Sequence, residues 1–436
     1  MENLLDEPSR LGFIYVPGSE QPAGIGQLVL TDNAITLEVP LHDLVGECQK
    51  WFRDRRIPRS ILFVDGSNRI ALSDCRFRQH VDQSHGKGRI VASSAVVAPR
   101  TASDFSTVNG VRSEVMGLAA WTGLPAVTAA KRGFDEKGLI KSASFSAESS
   151  PKVVIDAGIQ LSLFPHFRTS SLLSNGVHTI TEKVFIQTYT AELSDWNHHL
   201  RAHQLVQDLM TVVYWSPCAL AVEAVSRDDA PILDPIEKHP LGQQWNTSRT
   251  VWRGRGNAQT PKAIPERHKV LFTFDDIGVK GVKRWIEEGD RWKEIVGPLI
   301  SSRYQPDATI EVVVFQIAIA MESLGHLIAV RNGEIESTGS LQFPQYIQRI
   351  QDDLDCSTDQ VLAGDEDYDV PAFASFKAWA RAFNEVYKGV KHADNEKQEL
   401  GRSWVLAESA MLWLRLWIAR EFGVSREVLE ANTRYH

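Results

Sequence analysis

Four side chains near the carboxy-terminal end combine residue types and spacing suited to chemistry on a phosphodiester: Lys377, Arg381, Lys388 and His392. At about 100° per residue they fall on one face of a helix. Splitting RNA without a metal needs a group that titrates near neutrality to handle the 2′-hydroxyl proton, and histidine is such a group. It also needs fixed cations to stabilise charge on the phosphate in the transition state. His392 with Lys388 and Arg381 meets that need as a catalytic set, and Lys377 and Lys391 add charge for binding RNA. A histidine at a helix end can also be a plain cap, because a cation there favours the helix dipole. Both readings stand at this level.

The element that must position these groups is legible beneath them. Phe373, Phe376, Trp379, Ala380, Phe383, Val386, Tyr387 and Val390 recur at three-and-four spacing, which predicts a helix over Pro371 to His392 with an aromatic buried face. That face predicts pairing of the region with a second copy. The acidic run Asp365 to Asp369 immediately precedes it, either as a restraint on the basic stripe or as a solvated loop. In the apolar segment Ile310 to Val330, Glu322 and His326 sit four apart and hence on one face. Buried polar groups need partners. Residues of the Arg381 to His392 helix could supply them, and Asn384 joins Glu322 and His326 as a supporting candidate.

The chain has 436 residues, 43% hydrophobic and 23% charged, enough for two or three domains with ample core. Its first residues carry neither a basic leader nor an apolar segment, and the longest apolar run is interrupted by Gln316, Glu322 and His326. A cytoplasmic, non-membrane protein is the expectation. Cys48, Cys75, Cys218 and Cys356 are far apart and read as reduced thiols. A net charge of -8 excludes wholesale coating of nucleic acid, so a polyanion must be held by a local basic patch.

Short β-branched segments within residues 10 to 190, separated by turn residues, predict antiparallel β structure of sandwich or barrel type. A helix is expected from Ser194 to Val213, then an irregular, proline-rich stretch over 227–269, then a strand-like Val270 to Phe274. Helices follow at Val282 to Tyr304, Ile310 to Val330, Pro344 to Leu354, Pro371 to His392 and Arg402 to Phe422, with a short piece capped by Ser425. The fold class is α+β, with a β-rich antiparallel amino-terminal region over 1–300 and a helical bundle over 306–436.

The bundle, with Ala320-Met321-Glu322-Ser323-Leu324, Tyr387-Lys388-Gly389-Val390-Lys391-His392-Ala393-Asp394 and a long Trp- and Leu-rich last helix, resembles the higher eukaryote and prokaryote nucleotide-binding (HEPN) domain of the ApeA type. Gly24 to Leu28, Val111 to Gly123 and Leu271 to Ile277 resemble the ApeA amino-terminal domain. The resemblance implies a metal-independent ribonuclease of anti-phage defence, triggered by a phage component, dimeric through its bundle and directed at RNA, with transfer RNA a known type of target. Family nucleases carry an arginine followed by four to six residues and then the histidine, whereas here Lys388 precedes His392 by four positions and Arg381 by eleven. Either of these takes over the arginine's role, or the site is an inactive dimerisation and binding module. The literal spacing occurs only at Arg78 to His85, in a polar, turn-rich stretch.

Other constellations are weaker. Lys50 to Arg59 interleaves Trp51 and Phe52 with Arg53, Arg55 and Arg56, as single-stranded RNA binding would need, or as a solvated edge would show. His198, His199 and His203 offer a helical pair for a metal, yet no carboxylate or cysteine pattern accompanies them, and no metal is expected. Ser84-His85-Gly86-Lys87 matches a serine-lysine motif only formally. No phosphate-cradling glycine loop is present, so no nucleotide cofactor is expected.

Overall fold

The computed structural model describes the chain apart from residues 1–4, 6, 32–33, 42–46, 67, 82–85, 125, 148–150, 173–176, 232–243, 252–269, 355–358, 393–398 and 434–436. Two compact units interleave in sequence. One comprises Met1–Val115, Ala126–Gln204 and Leu220–Asn257, the other Met116–Pro125, Leu205–Ala219 and Ala258–His436.

The strands of the described residues all belong to the first unit. Fourteen form one sheet in which every pairing is antiparallel, and Val127–Phe134 and Ile140–Ala147 form a separate hairpin. Alternation explains the strands: in Ala34–Leu41, Ile35, Leu37 and Val39 are buried while the residues between them are not. The short helix Glu47–Arg53 sets Cys48, Trp51 and Phe52 into the sheet's core. Gly88 makes this possible, because a Cβ there would lie 2.4 Å from the Phe52 ring. The long strands Gln160–Leu172 and Val177–Asp195 carry too few alternating residues to be seen in full from sequence.

The second unit is helical, with Phe274–Glu287, Gly289–Arg303, Ile310–Arg331, Phe343–Leu354, Phe376–Lys391, Leu400–Glu421 and Arg426–Asn432. The α+β class is thus as expected. Val270 to Phe274 is not a strand: Val270, Leu271 and Phe272 are buried in irregular chain. Phe274 already belongs to a helix, whose start is tied by the Asp276 carboxylate accepting from the Thr273 N–H (2.6 Å) and hydroxyl (2.8 Å). Gly325 lets the apolar helix Ile310–Arg331 approach Phe343–Leu354, since a Cβ there would meet the Tyr346 Cβ at 2.4 Å. Ile310–Arg331 is the one described helix long and apolar enough to cross a membrane, and 56% of its apolar window is buried inside the protein. The thiols of Cys48, Cys75 and Cys218 are unpaired and buried, and desolvation pushes each up to about 12.

The expected helix after the first strands spans Trp196–Tyr214, and the division between units falls within it, after Gln204. His199, His203, Gln207 and Thr211 form a four-residue ladder along it, and all four are buried. His199 has Ser194 Oγ at 2.8 Å and Thr188 Oγ1 at 3.0 Å, and His203 has Thr188 Oγ1 at 2.9 Å and Ser113 Oγ at 2.7 Å. The imidazole nitrogens of His199 and His203 are therefore engaged by hydroxyls. Gln207 donates to the Cys218 carbonyl (2.7 Å), and Thr211 meets the Tyr304 hydroxyl (2.9 Å). At the helix end, Arg415 donates to the Val212 and Val213 carbonyls at 2.8 and 3.3 Å, satisfying groups a helix leaves without partners. Burial pushes its guanidinium down to about 9.

Burial lowers His199 to about 4 and His203 to about 3, both below the unfolded value near 6.5. Below about pH 6.5 the unfolded chain therefore takes up protons that the folded one refuses, and stability falls by up to about 1.4 kcal/mol per pH unit for each histidine. Urea unfolding between pH 7.5 and 5 should show this loss, and His203→Gln should remove roughly half of the slope. A midpoint that does not change over that range refutes the assignment.

Candidate functional site

Ser375 starts the striped helix, its hydroxyl accepting from the Ala378 N–H at 3.3 Å. Regular structure thus runs Phe376–Lys391, shorter at its start than the apolar spacing predicts, because the Phe373 N–H is engaged by the Leu362 carbonyl (2.9 Å). Trp379, Ala382, Phe383, Val386 and Tyr387 are buried. Trp379 stacks on Phe383 (5.7 Å, 10°), meets Trp413 edge-on (5.4 Å, 70°) and donates its indole N–H to Ser409 Oγ (2.8 Å). Phe343 lies 4.7 Å from the Tyr387 ring. The aromatic face is therefore covered within the chain and is not left for a second copy.

Lys377, Arg381, Glu385 and Lys388 occupy the solvent face. Glu385 shares this face, and its carboxylate pairs with Arg381 Nε at 3.2 Å, both side chains well exposed. Such a pair contributes about 0–1 kcal/mol, so a phosphate can displace it. Lys391 Nζ lies 5.3 Å over the Tyr387 ring. His392 is exposed and ends the helix: its N–H donates to the Lys388 carbonyl (3.0 Å), and its own backbone is extended (φ -124, ψ 120). This backbone hydrogen bond sets His392 one turn after Lys388, just outside the regular helix. The residues that follow, 393–398, lie outside the described chain.

Beneath the end of the helix, a cavity of about 170 Å³ is lined by Ile310, Val314, Val386, Val390 and Leu400. Around it Val312, Phe315, Leu400 and Trp404 are exposed by 43, 42, 72 and 37%, and Phe315 lies 6.4 Å from Tyr387. Glu322 is exposed and Asn384 half-buried. Glu322 thus needs no internal partner. His326 is half-buried with its ring edge-on to Tyr346 (6.2 Å), facing an open groove of about 410 Å³ with Arg291, Ser323 and Arg331, rather than the striped helix.

The acidic run forms a tight turn. Asp365 and Val370 exchange backbone hydrogen bonds (2.7 and 2.9 Å), and the Asp365 carboxylate accepts from the Asp367 N–H (2.9 Å). These contacts favour the loop reading. Trp51 and Phe52 are only 6 and 1% exposed, so they are core side chains and offer RNA no stacking surface. Arg53 pairs with Asp54 (3.1 Å), Arg55 lies 6.0 Å over Phe77 and Arg56 is exposed. Of the Arg78 to His85 spacing, His85 lies outside the described residues, as does Ser84.

Fold and site together define an α+β protein that joins an antiparallel sheet to a helical unit carrying a cationic, solvent-facing helix. The chain matches the ApeA N-terminal domain 1 family over residues 9–286, well over half its length, and belongs to that family. The match supports an ApeA-like protein and an anti-phage context; the striped helix lies beyond it. No curated protein and no solved structure matches the chain. The three phrases resembling the ApeA amino-terminal domain all lie inside the matched stretch. Two of them meet in the helical unit, where Trp121 Nε1 donates to the Phe272 carbonyl (3.0 Å) and the Trp121 ring meets Phe274 edge-on (5.5 Å).

Trp379→Ala should destabilise the protein by about 3–5 kcal/mol through the cavity it leaves. Lys388→Ala should change stability by no more than about 0.5 kcal/mol, since its side chain is exposed. Denaturant midpoints measure both. Equal effects would show that the stripe, not the indole, holds the helix.

Proposed function

We propose that this chain is an anti-phage defence protein whose helical unit is a metal-independent endoribonuclease and whose β-rich unit is its sensor for a phage-derived trigger. One observation carries the reading: an exposed histidine follows Lys388 by one turn at the end of a helix whose solvent face also bears Lys377 and Arg381. His392 takes the 2′-hydroxyl proton as that oxygen attacks phosphorus. The 5′-oxygen leaves with a proton, giving a 2′,3′-cyclic phosphate and a 5′-hydroxyl. Lys388, one turn away, stabilises the charge gained by the phosphoryl oxygens. Arg381 holds a neighbouring phosphate with its planar fork. Transfer RNA is the target class that the family resemblance implies.

The leaving oxygen needs an acid, and each chain brings one histidine to the stripe. A homodimer supplies the second from the other copy's stripe. The exposed side chains of Val312, Phe315, Leu400 and Trp404 would supply the apolar surface for that pairing, Phe315 lying 6.4 Å from the Tyr387 ring and Leu400 lining the cavity beneath the striped helix. A second reading, an inactive dimerisation and binding module, is favoured by the missing arginine spacing and by Glu385 on Arg381.

With total RNA or transfer RNA as substrate, His392→Ala and Lys388→Ala should each lower cleavage by about 100-fold or more at unchanged thermal stability. Arg381→Ala should chiefly weaken RNA binding, with a shallower salt dependence. If wild type never cuts RNA with candidate triggers present, and all three variants still protect cells from phage, the binding-module reading replaces this one.

Light scattering at micromolar concentration should report a dimer. Phe315→Asp combined with Leu400→Asp should give a folded monomer that no longer cleaves. A wild-type monomer with full activity would rule out the shared site.

A further inference from the structure

Lys50 to Arg59 has rings interleaved with cations in sequence, but Trp51 and Phe52 lie in the core. The same combination arises by strand pairing elsewhere in the β-rich unit. Phe164, His166 and Arg168 of the strand Gln160–Leu172 share one sheet face, and Lys183, Phe185 and Gln187 of Val177–Asp195 lie beside them. Register sets Phe164 opposite Phe185, His166 opposite Lys183, and Gln187 opposite Arg112 of the next strand, Thr107–Val115. Leu161, Leu163, Ile186 and Val111 turn to the other face and are fully buried. On the first face Arg112, Phe164, His166, Lys183 and Gln187 are half-buried and Arg168 is exposed.

The rings there form a strip. Phe185, 6% exposed, is its floor, with His166 tilted against it (5.8 Å) and stacked along Phe164 (6.2 Å, 21°). Half-buried Trp245 adds another ring, and the Arg112 guanidinium lies among them, its Cζ 4.1 Å from Trp245, 4.7 Å from Phe164 and 5.6 Å from Phe185. Arg112 Nη2 donates to Gln187 Oε1 (2.8 Å), whereas Nη1 makes no hydrogen bond and is not sealed from solvent. No carboxylate pairs with this cation among the described residues, and burial alone pushes it down to about 10. An anion that reaches it gains a charge-assisted bond in a partly desolvated setting. Arg168 likewise has no ion pair among the described residues, while Lys183 is held by Glu114 and Glu223. His166 stands below its ordinary value through burial first and then through the charges of Arg112, Lys183 and Arg168, so the local field is positive.

Arg112 and Arg168 lie level with Gln187 and Thr181, about 20 Å apart along the strand at ~3.4 Å per residue. Rings fill the interval between the two free cations. We propose that this face, from Arg112 to Arg168, binds single-stranded nucleic acid, with phosphates at the two arginines and bases stacked on Phe164, His166 and Trp245. Such stacking tolerates any sequence, because every base has a π face. The site lies within the β-rich unit and does not depend on cleavage at His392.

Fluorescence anisotropy of a labelled uridine octamer on the full chain, carrying Lys388→Ala and Arg381→Ala so that the striped helix is silenced, tests this. Binding should persist, saturate and weaken as salt rises. Added to that variant, Arg112→Gln and Phe164→Leu should each weaken binding by about tenfold, the first by removing the planar cation and the second by removing the ring while keeping its apolar character. Arg168→Ala, at an exposed position where folding is not at stake, should weaken it severalfold and make the salt dependence shallower. Unlabelled octamer should displace the probe far better than inorganic polyphosphate, which has the charge but no bases. No saturable binding, unchanged binding in Phe164→Leu and Arg168→Ala, or displacement by polyphosphate equal to that by RNA would each overturn the proposal.

Discussion

Burial of the Trp379 indole determines where the cationic stripe can face. The ring is closed in by Phe383, Trp413 and Ser409, with its one polar atom bonded. Turning or sliding the helix would open a cavity at a cost of several kcal/mol (~3–5) and leave the indole N–H without a partner. Because Lys377, Arg381 and Lys388 are spaced by whole turns, that single packing decision sends all three to solvent. Positions of the charged groups thus follow from apolar packing on the far side of the same helix.

A different constraint acts along the Trp196–Tyr214 helix. Its ladder of His199, His203, Gln207 and Thr211 would be costly inside a protein if any member lacked a partner. Each has at least one, with only the Gln207 Oε1 left without a partner among the described residues, and Arg415 completes the helix end. The hydroxyls of Ser113, Thr188 and Ser194 therefore specify one strand register around the two histidines, because a one-residue slip would turn them to the opposite face.

Electrostatics set the scale of what the stripe can do. A chain of net charge -8 repels polyanions at long range, and screening confines attraction to about 8–10 Å from the cations. Any polyanion held there would have to be held by local geometry rather than by overall charge. Glu385 sharpens the point, since its carboxylate already pairs with Arg381 on the same face.

The sequence by itself determined the helices with strong three-and-four periodicity, the antiparallel character of the sheet and the alignment of Lys377, Arg381 and Lys388, because these depend on local geometry alone. The caps were legible for the same reason: Ser425 accepts from the Val428 N–H as its position before a helix foretells. Tertiary structure decided the rest. Whether Trp51, Phe52 and the aromatic face of the striped helix serve a partner or the core depends on what covers them, and residues distant in the chain do. The strand-like Val270 to Phe274 has the composition of a strand, yet its backbone is engaged by Val213, Trp121 and Asn432 and the Asp276 cap starts a helix at Phe274. The histidine ladder had a visible four-residue period, yet only the approach of Ser113, Thr188 and Ser194 distinguishes a satisfied core from a metal site. Periodicity is written within a few turns of chain, whereas desolvation and hydrogen-bond partnership are properties of segments up to two hundred residues apart, as Arg415 and Val212 are.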